Sequence, residues 1–242
     1  MQRYADFKDI SDGRLYGLND MVKADCHDCR DCSKCCSQDM GDTITIDPLD
    51  MFRLTKGLGR SFDSLIHKEL EISLSDGIML PHMRMSGLSE PIYEKDSDMP
   101  TVYKIPVGCQ FLDKNGRCTI HEYRPGICRL FPLGRIYENG DFKYFLQINE
   151  CSMKNRTKVK VSKWIDTENL KEYERFVKMW HNFLLMAAKK LREEEDTDKV
   201  KMFHMAFLTK FYAEEYQSSD ELMFYTEFDG RMKEMVKLLR KM

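Results

Sequence analysis

This chain contains nine cysteines, and their thiols are its side chains best suited to hold a metal. All nine lie from Cys26 to Cys151, and the last 91 residues contain none. Cys26, Cys29, Cys32 and Cys35 recur at every third position, and Cys36 follows directly. A thiolate at every third position lets a short loop wrap several sulfurs around one centre, as in zinc knuckles and ferredoxin cysteine runs. The spacing therefore predicts a metal site in this loop.

A second group of cysteines follows the pattern C-x8-C-x9-C, and one further cysteine comes later. Neighbouring residues project in different directions, so we expect Cys35 and Cys36 not to share one tetrahedral ion. Eight thiolates divide naturally into two sites of four, although the spacing equally allows ligands to be shared between the groups. Cys26 is then a ninth, supernumerary ligand. The candidate metal ligands are Cys29, Cys32, Cys35, Cys36, Cys109, Cys118, Cys128, Cys151 and Cys26.

The identity of the metal is less constrained than its ligands, because all-cysteine ligation suits both zinc and iron–sulfur clusters. The crowded first run offers more thiolates than one closed zinc site needs. This surplus favours a four-iron, four-sulfur (4Fe-4S) cluster, with zinc as the alternative. Either four-thiolate site would carry a net charge of about minus two by addition of formal charges. We expect nearby cations to offset it, from the set Arg30, Lys34, Arg117, Arg124, Arg129 and Arg135.

The remaining composition narrows the class of protein. The N-terminal stretch has no apolar segment typical of a signal peptide, so we expect a cytoplasmic protein whose thiols stay reduced. The longest apolar run, Phe183 to Ala188, is far shorter than the roughly 20 residues that span a membrane. Basic and acidic residues number 38 and 40, which argues against a nucleic-acid partner.

Short elements are predicted around the cysteines. Asp47 and Pro48 predict the start of a helix that runs to Lys56 and stops at Gly57 and Gly59, and Ser61 predicts a second helix through Leu70. Strands are predicted at Ile78 to Met85, Thr101 to Val107, Leu133 to Tyr137 and Phe142 to Ile148.

Two turns join these predicted strands. Asn139-Gly140 is a strong signal for a two-residue hairpin between the last two strands. The stretch from Asp113 to Gly116 predicts a similar turn, which would place Cys109 and Cys118 opposite each other.

The final third of the chain is predicted to be helical. Apolar residues recur every three or four positions from Leu170 to Leu191, which predicts one long helix capped by Asp166 or Thr167. Two further helices are predicted, from Val200 to Phe211 and from Leu222 to Leu239. We therefore expect an α+β fold, mostly α. A loop-rich metal-binding region, residues 1–165, would pack as one compact unit against a bundle of about three helices, residues 166–242.

The two cysteine segments, CRDCSKCC and CQFLDKNGRCTIHEYRPGICRLFP, resemble the bacterial family named for its CxxCxxCC motif and described as a zinc- or iron-chelating domain. The first family motif falls on Cys29, Cys32, Cys35 and Cys36. The second falls on Cys109, Cys118 and Cys128, with Arg124, Pro125 and Arg129 filling an RPxxCR pattern, and Cys151 is similar to the late family cysteine. Cys26 stands outside the core motif.

The resemblance mainly implies a metal-binding protein, with two alternatives. The flagellin lysine N-methylases look like relatives, which implies a 4Fe-4S cluster and an S-adenosylmethionine-dependent protein lysine methyltransferase acting on an unidentified protein substrate. No glycine-rich loop follows a strand here, since Gly57-Leu58-Gly59 is a predicted helix stop. The other alternative is a redox carrier or oxygen sensor whose cluster exchanges electrons or breaks down in oxygen.

Overall fold

The computed structural model describes residues 6–26, 33–36, 44–66, 68–87, 107–148, 150–151, 153 and 155–242. Cys29, Cys32 and Arg30 lie outside the described residues, as do residues 101–106 of the strand predicted before Cys109.

The strands of the described residues form four separate two-stranded antiparallel sheets. Their members pair as β1 (Met21–Asp25) with β8 (Thr157–Lys160), β2 (Leu70–Ser75) with β3 (Ile78–Met83), β4 (Met85–Gly87) with β5 (Val107–Cys109), and β6 (Leu133–Glu138) with β7 (Asp141–Leu146).

Helices dominate the second half of the chain. The α-helices of the described residues, over both halves, are α1 (Phe7–Ile10), α2 (Pro48–Leu58), α3 (Phe62–Leu65), α4 (Gly126–Leu130), α5 (Val161–Ile165), α6 (Leu170–Glu193), α7 (Thr197–Leu208) and α8 (Glu221–Lys241). A 3-10 turn, His121–Tyr123, precedes α4, and a π-helical turn, Thr209–Ala213, extends α7. No helix in the described part of the chain is long and apolar enough to cross a membrane. The predicted α+β class, with hairpins before a three-helix C-terminal region, is confirmed.

Two local predictions are confirmed in detail. Asn139 and Gly140 have φ of 53° and 79°, the left-handed pair that a type I′ hairpin turn requires between β6 and β7. Asp47 starts α2 through a capping box, in which its side chain accepts from the Asp50 amide and the Asp50 side chain accepts from the Asp47 amide. The helix continues through Gly57 and ends at Gly59, whose φ is 61°.

Two helix boundaries were predicted wrongly. The helix after Ser61 has four residues and not nine, because Leu70 is fully buried as the first residue of β2 and pairs with Met83. Tertiary pairing thus overrides local helical preference there. The residue before α6 is Asn169, which makes no capping bond, and not Asp166, which instead ends the short helix α5 in a left-handed conformation.

Aromatic rings hold α6, α7 and α8 together. Phe176 on α6 packs edge-on against Phe228 on α8, with centroids 4.7 Å apart. Trp180 packs edge-on against Phe211, 5.0 Å away, in the turn after α7. Such pairs add about 0.5–1.5 kcal/mol each beyond the burial of their area.

Helix α2 connects this aromatic cluster to the cysteine-bearing half. Its Phe52 ring lies 5.1 Å from that of Phe224 on α8, and its Arg53 forms a two-bond ion pair with Glu221 at the start of α8. Just before α2, the carbonyl of Ile46 accepts a buried hydrogen bond of 3.0 Å from the Tyr212 hydroxyl. The orientation of α2 is therefore set by the C-terminal helices.

We expect Gly57→Ala to lower the free energy of unfolding by about 1–3 kcal/mol, the usual cost of overpacking. A Cβ at Gly57 would lie 2.3 Å from Cγ of the Tyr123 ring, in the turn between Cys118 and Cys128. Urea denaturation measures the change.

Gly230→Ala is the matched control, since it adds a methyl in α8 with no heavy atom within 4 Å. It should gain up to about 1 kcal/mol from helix propensity. A Gly57→Ala protein as stable as the wild type would contradict the close packing of α2 on Tyr123.

Candidate metal centre

Cys35, Cys109, Cys118 and Cys128 come from four separate segments. Cys109 ends β5, and its carbonyl accepts a 3.0 Å hydrogen bond from the amide of Leu112. The turn predicted between these cysteines is present, and Leu112 pairs with Cys118 across it. Cys128 lies in α4, and Cys35 lies in the loop 33–36. Cys109 is thus one turn away from the hairpin partner of Cys118, and not directly opposite it.

Electrostatic coupling shows that these four thiols are neighbours. The pKa of Cys109 is raised to about 11, first by burial and then by negative charge on Cys118 and Cys35. Burial raises the pKa of Cys118, which the charge of Cys35 also raises. Burial and then the charges of Cys109 and Asp50 raise the pKa of Cys128. Thiols placed so close, away from water, stay protonated until a metal cation replaces the protons.

Cys35 and Cys36 present their sulfurs to each other. The two Sγ atoms are 3.9 Å apart and are not joined by a disulfide. Two sulfurs bound to one tetrahedral zinc at roughly 2.3 Å would lie about 3.8 Å apart. The adjacent residues thus place their sulfurs together, contrary to the divergence expected of neighbours in the chain.

The loop 33–36 packs against the turn that precedes Cys118. A Cβ at Gly116 would lie 3.1 Å from Oγ of Ser33, and Gly116 has a φ of 72° that favours glycine. The side chain of Asp113 accepts from the amides of Asn115 and Arg117, which fixes this turn. The hairpin is therefore a formed surface on which residues 33–36 lie.

Asp50 fixes the start of α4. Its Oδ1 accepts a buried hydrogen bond of 2.7 Å from the amide of Gly126, two residues before Cys128. Burial raises the pKa of Asp50 to about 6, although the Gly126 bond favours the charged form. Sequence reasoning missed this residue, whose only signal was its position three residues after Asp47 in the capping box.

The predicted cations divide between different roles. The charge of Arg124 lowers the pKa of Cys118 and Cys128, opposing the effect of burial, which makes it a cation of this site. Arg129 instead donates to the Thr167 hydroxyl at 2.5 Å and to the Asp166 carbonyl at 3.2 Å. Arg135, on β6, lies among aromatic rings. The charge of Arg117 acts on the carboxylate of Asp113.

Two further candidate ligands flank the centre in sequence. Cys26 directly follows β1 and is 3% exposed. Cys151 lies half-buried between β7 and β8.

Within the described ranges, no three His, Cys, Asp or Glu side chains are arranged to hold one metal ion. The donor set nonetheless fits a thiophilic metal, because the coupled groups are all sulfur and lie in an apolar environment with one arginine. Zinc and iron are the metals that such thiolates select.

Comparison with known proteins identifies this region. Residues 28–158, more than half of the chain, match the family model described as "CxxCxxCC: Putative zinc- or iron-chelating domain". No curated protein and no solved structure matches the chain significantly.

We expect Asp50→Ala to cost about 2–3 kcal/mol of unfolding free energy. The buried amide of Gly126 would lose its acceptor, which costs about 1–3 kcal/mol, and α2 would lose half of its capping box. Asp50→Asn, which keeps one acceptor, should cost less. Thermal or urea unfolding measures both.

Asp20→Ala is the matched control, because the Asp20 carboxylate accepts a 2.7 Å bond from the Gly17 amide at the exposed surface. That change should stay within about 0.5 kcal/mol. Equal effects at the two positions would show that Asp50 does not anchor α4.

Proposed function

We propose, since the chain belongs to the CxxCxxCC family of zinc- or iron-chelating domains, that it binds a 4Fe-4S cluster through Cys35, Cys109, Cys118 and Cys128. The observation that carries the proposal is the electrostatic coupling among these four buried or half-buried cysteines from four segments of the chain. A 4Fe-4S cluster takes one thiolate for each iron, which is the number that converges here. In this arrangement the first motif contributes Cys35 to the group formed by the second.

A surplus of sulfur supports a polynuclear centre over a single zinc. Cys36 places its sulfur 3.9 Å from that of Cys35, so at least five thiols surround the region. We assign the remaining family cysteines to a second, neighbouring four-thiolate site, made of Cys29, Cys32, Cys36 and Cys151. Cys26 precedes the residues that match the family and has no ligand role in this proposal.

Zinc is the second candidate, and one distance favours it. The separation of the Cys35 and Cys36 sulfurs is close to the value of about 3.8 Å expected on one tetrahedral zinc. In that case both adjacent cysteines would bind the same ion, and two of the other coupled thiols would complete its four ligands.

The residues around the thiols prepare the site for a charged group. A 4Fe-4S centre with four thiolates carries a net charge of about minus two, and Arg124 provides a compensating positive charge near Cys118 and Cys128. Cys109 is buried, so water has little access to its sulfur. When bound, the cluster supplies one-electron redox chemistry, whose potential depends on such burial and hydrogen bonding.

The first test is metal and sulfide analysis of protein purified without oxygen. We expect brown protein with about four acid-labile sulfides per cluster, and loss of colour and iron in Cys118→Ser. Colourless protein with stoichiometric zinc would replace the cluster by zinc and keep the thiolate site.

Cys26→Ser is the matched control, and it should keep its full metal content. If Cys35→Ser and Cys118→Ser also kept it, the assigned ligands would be wrong. Circular dichroism on each variant separates loss of metal from loss of fold.

Removing the metal should destabilise the cysteine-bearing half selectively. Metal binding contributes folding free energy where loops alone cannot form a site. Hydrogen exchange should show faster exchange at residues 107–130 after anaerobic chelation, with α6 and α8 unchanged. Uniform exchange across the chain would show that the metal does not organise these loops.

A further inference from the structure

A cavity of about 640 Å³ lies between α4 and the long helix α6. It is enclosed by α6, by the β6–β7 hairpin, by α4 and by the start of α2. No step of the proposed metal binding uses it, and its volume lies within the range of about 300–1,000 Å³ typical of small-molecule sites.

A positive charge without a counter-ion lines this cavity. The guanidinium of Arg135 donates a 3.0 Å hydrogen bond to the Tyr173 hydroxyl and lies 5.4–5.9 Å from the ring centroids of Phe142, Tyr144 and Tyr173. Arg135 forms no ion pair with any residue that the structure describes, and its Nε is buried without a hydrogen-bond partner among them. An arginine remains charged at any physiological pH.

The nearest carboxylates cannot serve as full counter-ions. The side chains of Asp47 and Asp50 line the cavity but accept from each other's amides, and Asp50 also accepts from Gly126. Burial raises the pKa of both groups, and at Asp47 the charge of Asp50 raises it further; the charges of Arg53 and Arg135 lower the pKa of both without cancelling the effect of burial. Because a buried charge without a close partner is costly, the cavity favours an incoming anion.

The other walls are apolar and flat. Val177, Trp180 and Leu184 on α6 face the cavity together with Ile78 and Leu80 of β3. At one wall the rings of Tyr137 and His181 stack, with centroids 3.6 Å apart and planes 12° apart. These apolar and aromatic surfaces suit an apolar or aromatic body, while Arg192, near the end of α6, is a second cation in the lining.

We propose that this cavity binds a small organic carboxylate, with its carboxylate paired to Arg135 and its aromatic or branched body against Trp180 and Leu184. A guanidinium and a carboxylate form two parallel hydrogen bonds. The proposal does not depend on the metal.

Calorimetry with indole-3-propionate and with its uncharged amide tests the proposal on the full-length, metal-loaded protein. We expect saturable binding of the acid and at least tenfold weaker binding of the amide. Arg135→Gln should weaken binding of the acid at least tenfold while leaving the amide unchanged. Leu184→Trp, which fills the cavity without altering Arg135, should remove the binding of both.

Lys189→Gln is the control, since it removes one exposed positive charge from α6 outside the cavity lining. It should bind the acid as the wild type does. Absence of saturable binding by the acid at millimolar concentration, or equal affinity for acid and amide, overturns the proposal. So does undiminished binding by Leu184→Trp, which remains informative if Arg135→Gln does not fold.

Discussion

One buried hydrogen bond, from the amide of Gly126 to the carboxylate of Asp50, connects the cysteine-bearing helix α4 to α2 and, through α2, to the C-terminal helices. Asp50 belongs to α2, which packs on α8 through Phe52 and Arg53. Gly126 begins α4, the short helix that carries Cys128. A five-residue helix has little stability of its own, so its position depends on this bond and on the aromatic cluster that holds α2.

The second constraint is electrostatic. Burial disfavours the thiolates of Cys109, Cys118 and Cys128, and negative charge on a neighbouring cysteine disfavours each of them further. Only a cation at the centre makes several thiolates stable together. The positive charge of Arg124 offsets one of the negative charges at the thiol group. Arg129 instead holds α4 to the segment before α6 through its hydrogen bonds. The family pattern RPxxCR therefore places two arginines with different tasks around one cysteine.

Local chemistry explains which elements the sequence could predict. Asn139-Gly140, the Asp47-Pro48 helix start and the apolar spacing from Leu170 act within a few residues, and each produced the expected element. The short helix after Ser61 failed because the pairing of Leu70 with Met83 decides it. The candidate site depends even more on distant partners: Asp50 and Gly126 are 76 residues apart. Cysteine spacing gave the ligand types but not their grouping, because Cys35 joins thiols more than 70 positions later in the chain.

Helix α4 contributes to two places at once. Cys128 belongs to the thiol group, while its neighbours Ile127 and Leu130 form part of the cavity wall. So short a helix moves as a unit, and its residues cannot be displaced separately. If occupation of either place shifts α4, thermodynamic reciprocity requires that each occupant change the affinity of the other by the same factor. The metal state of the protein would then be readable from its small-molecule affinity, and the reverse.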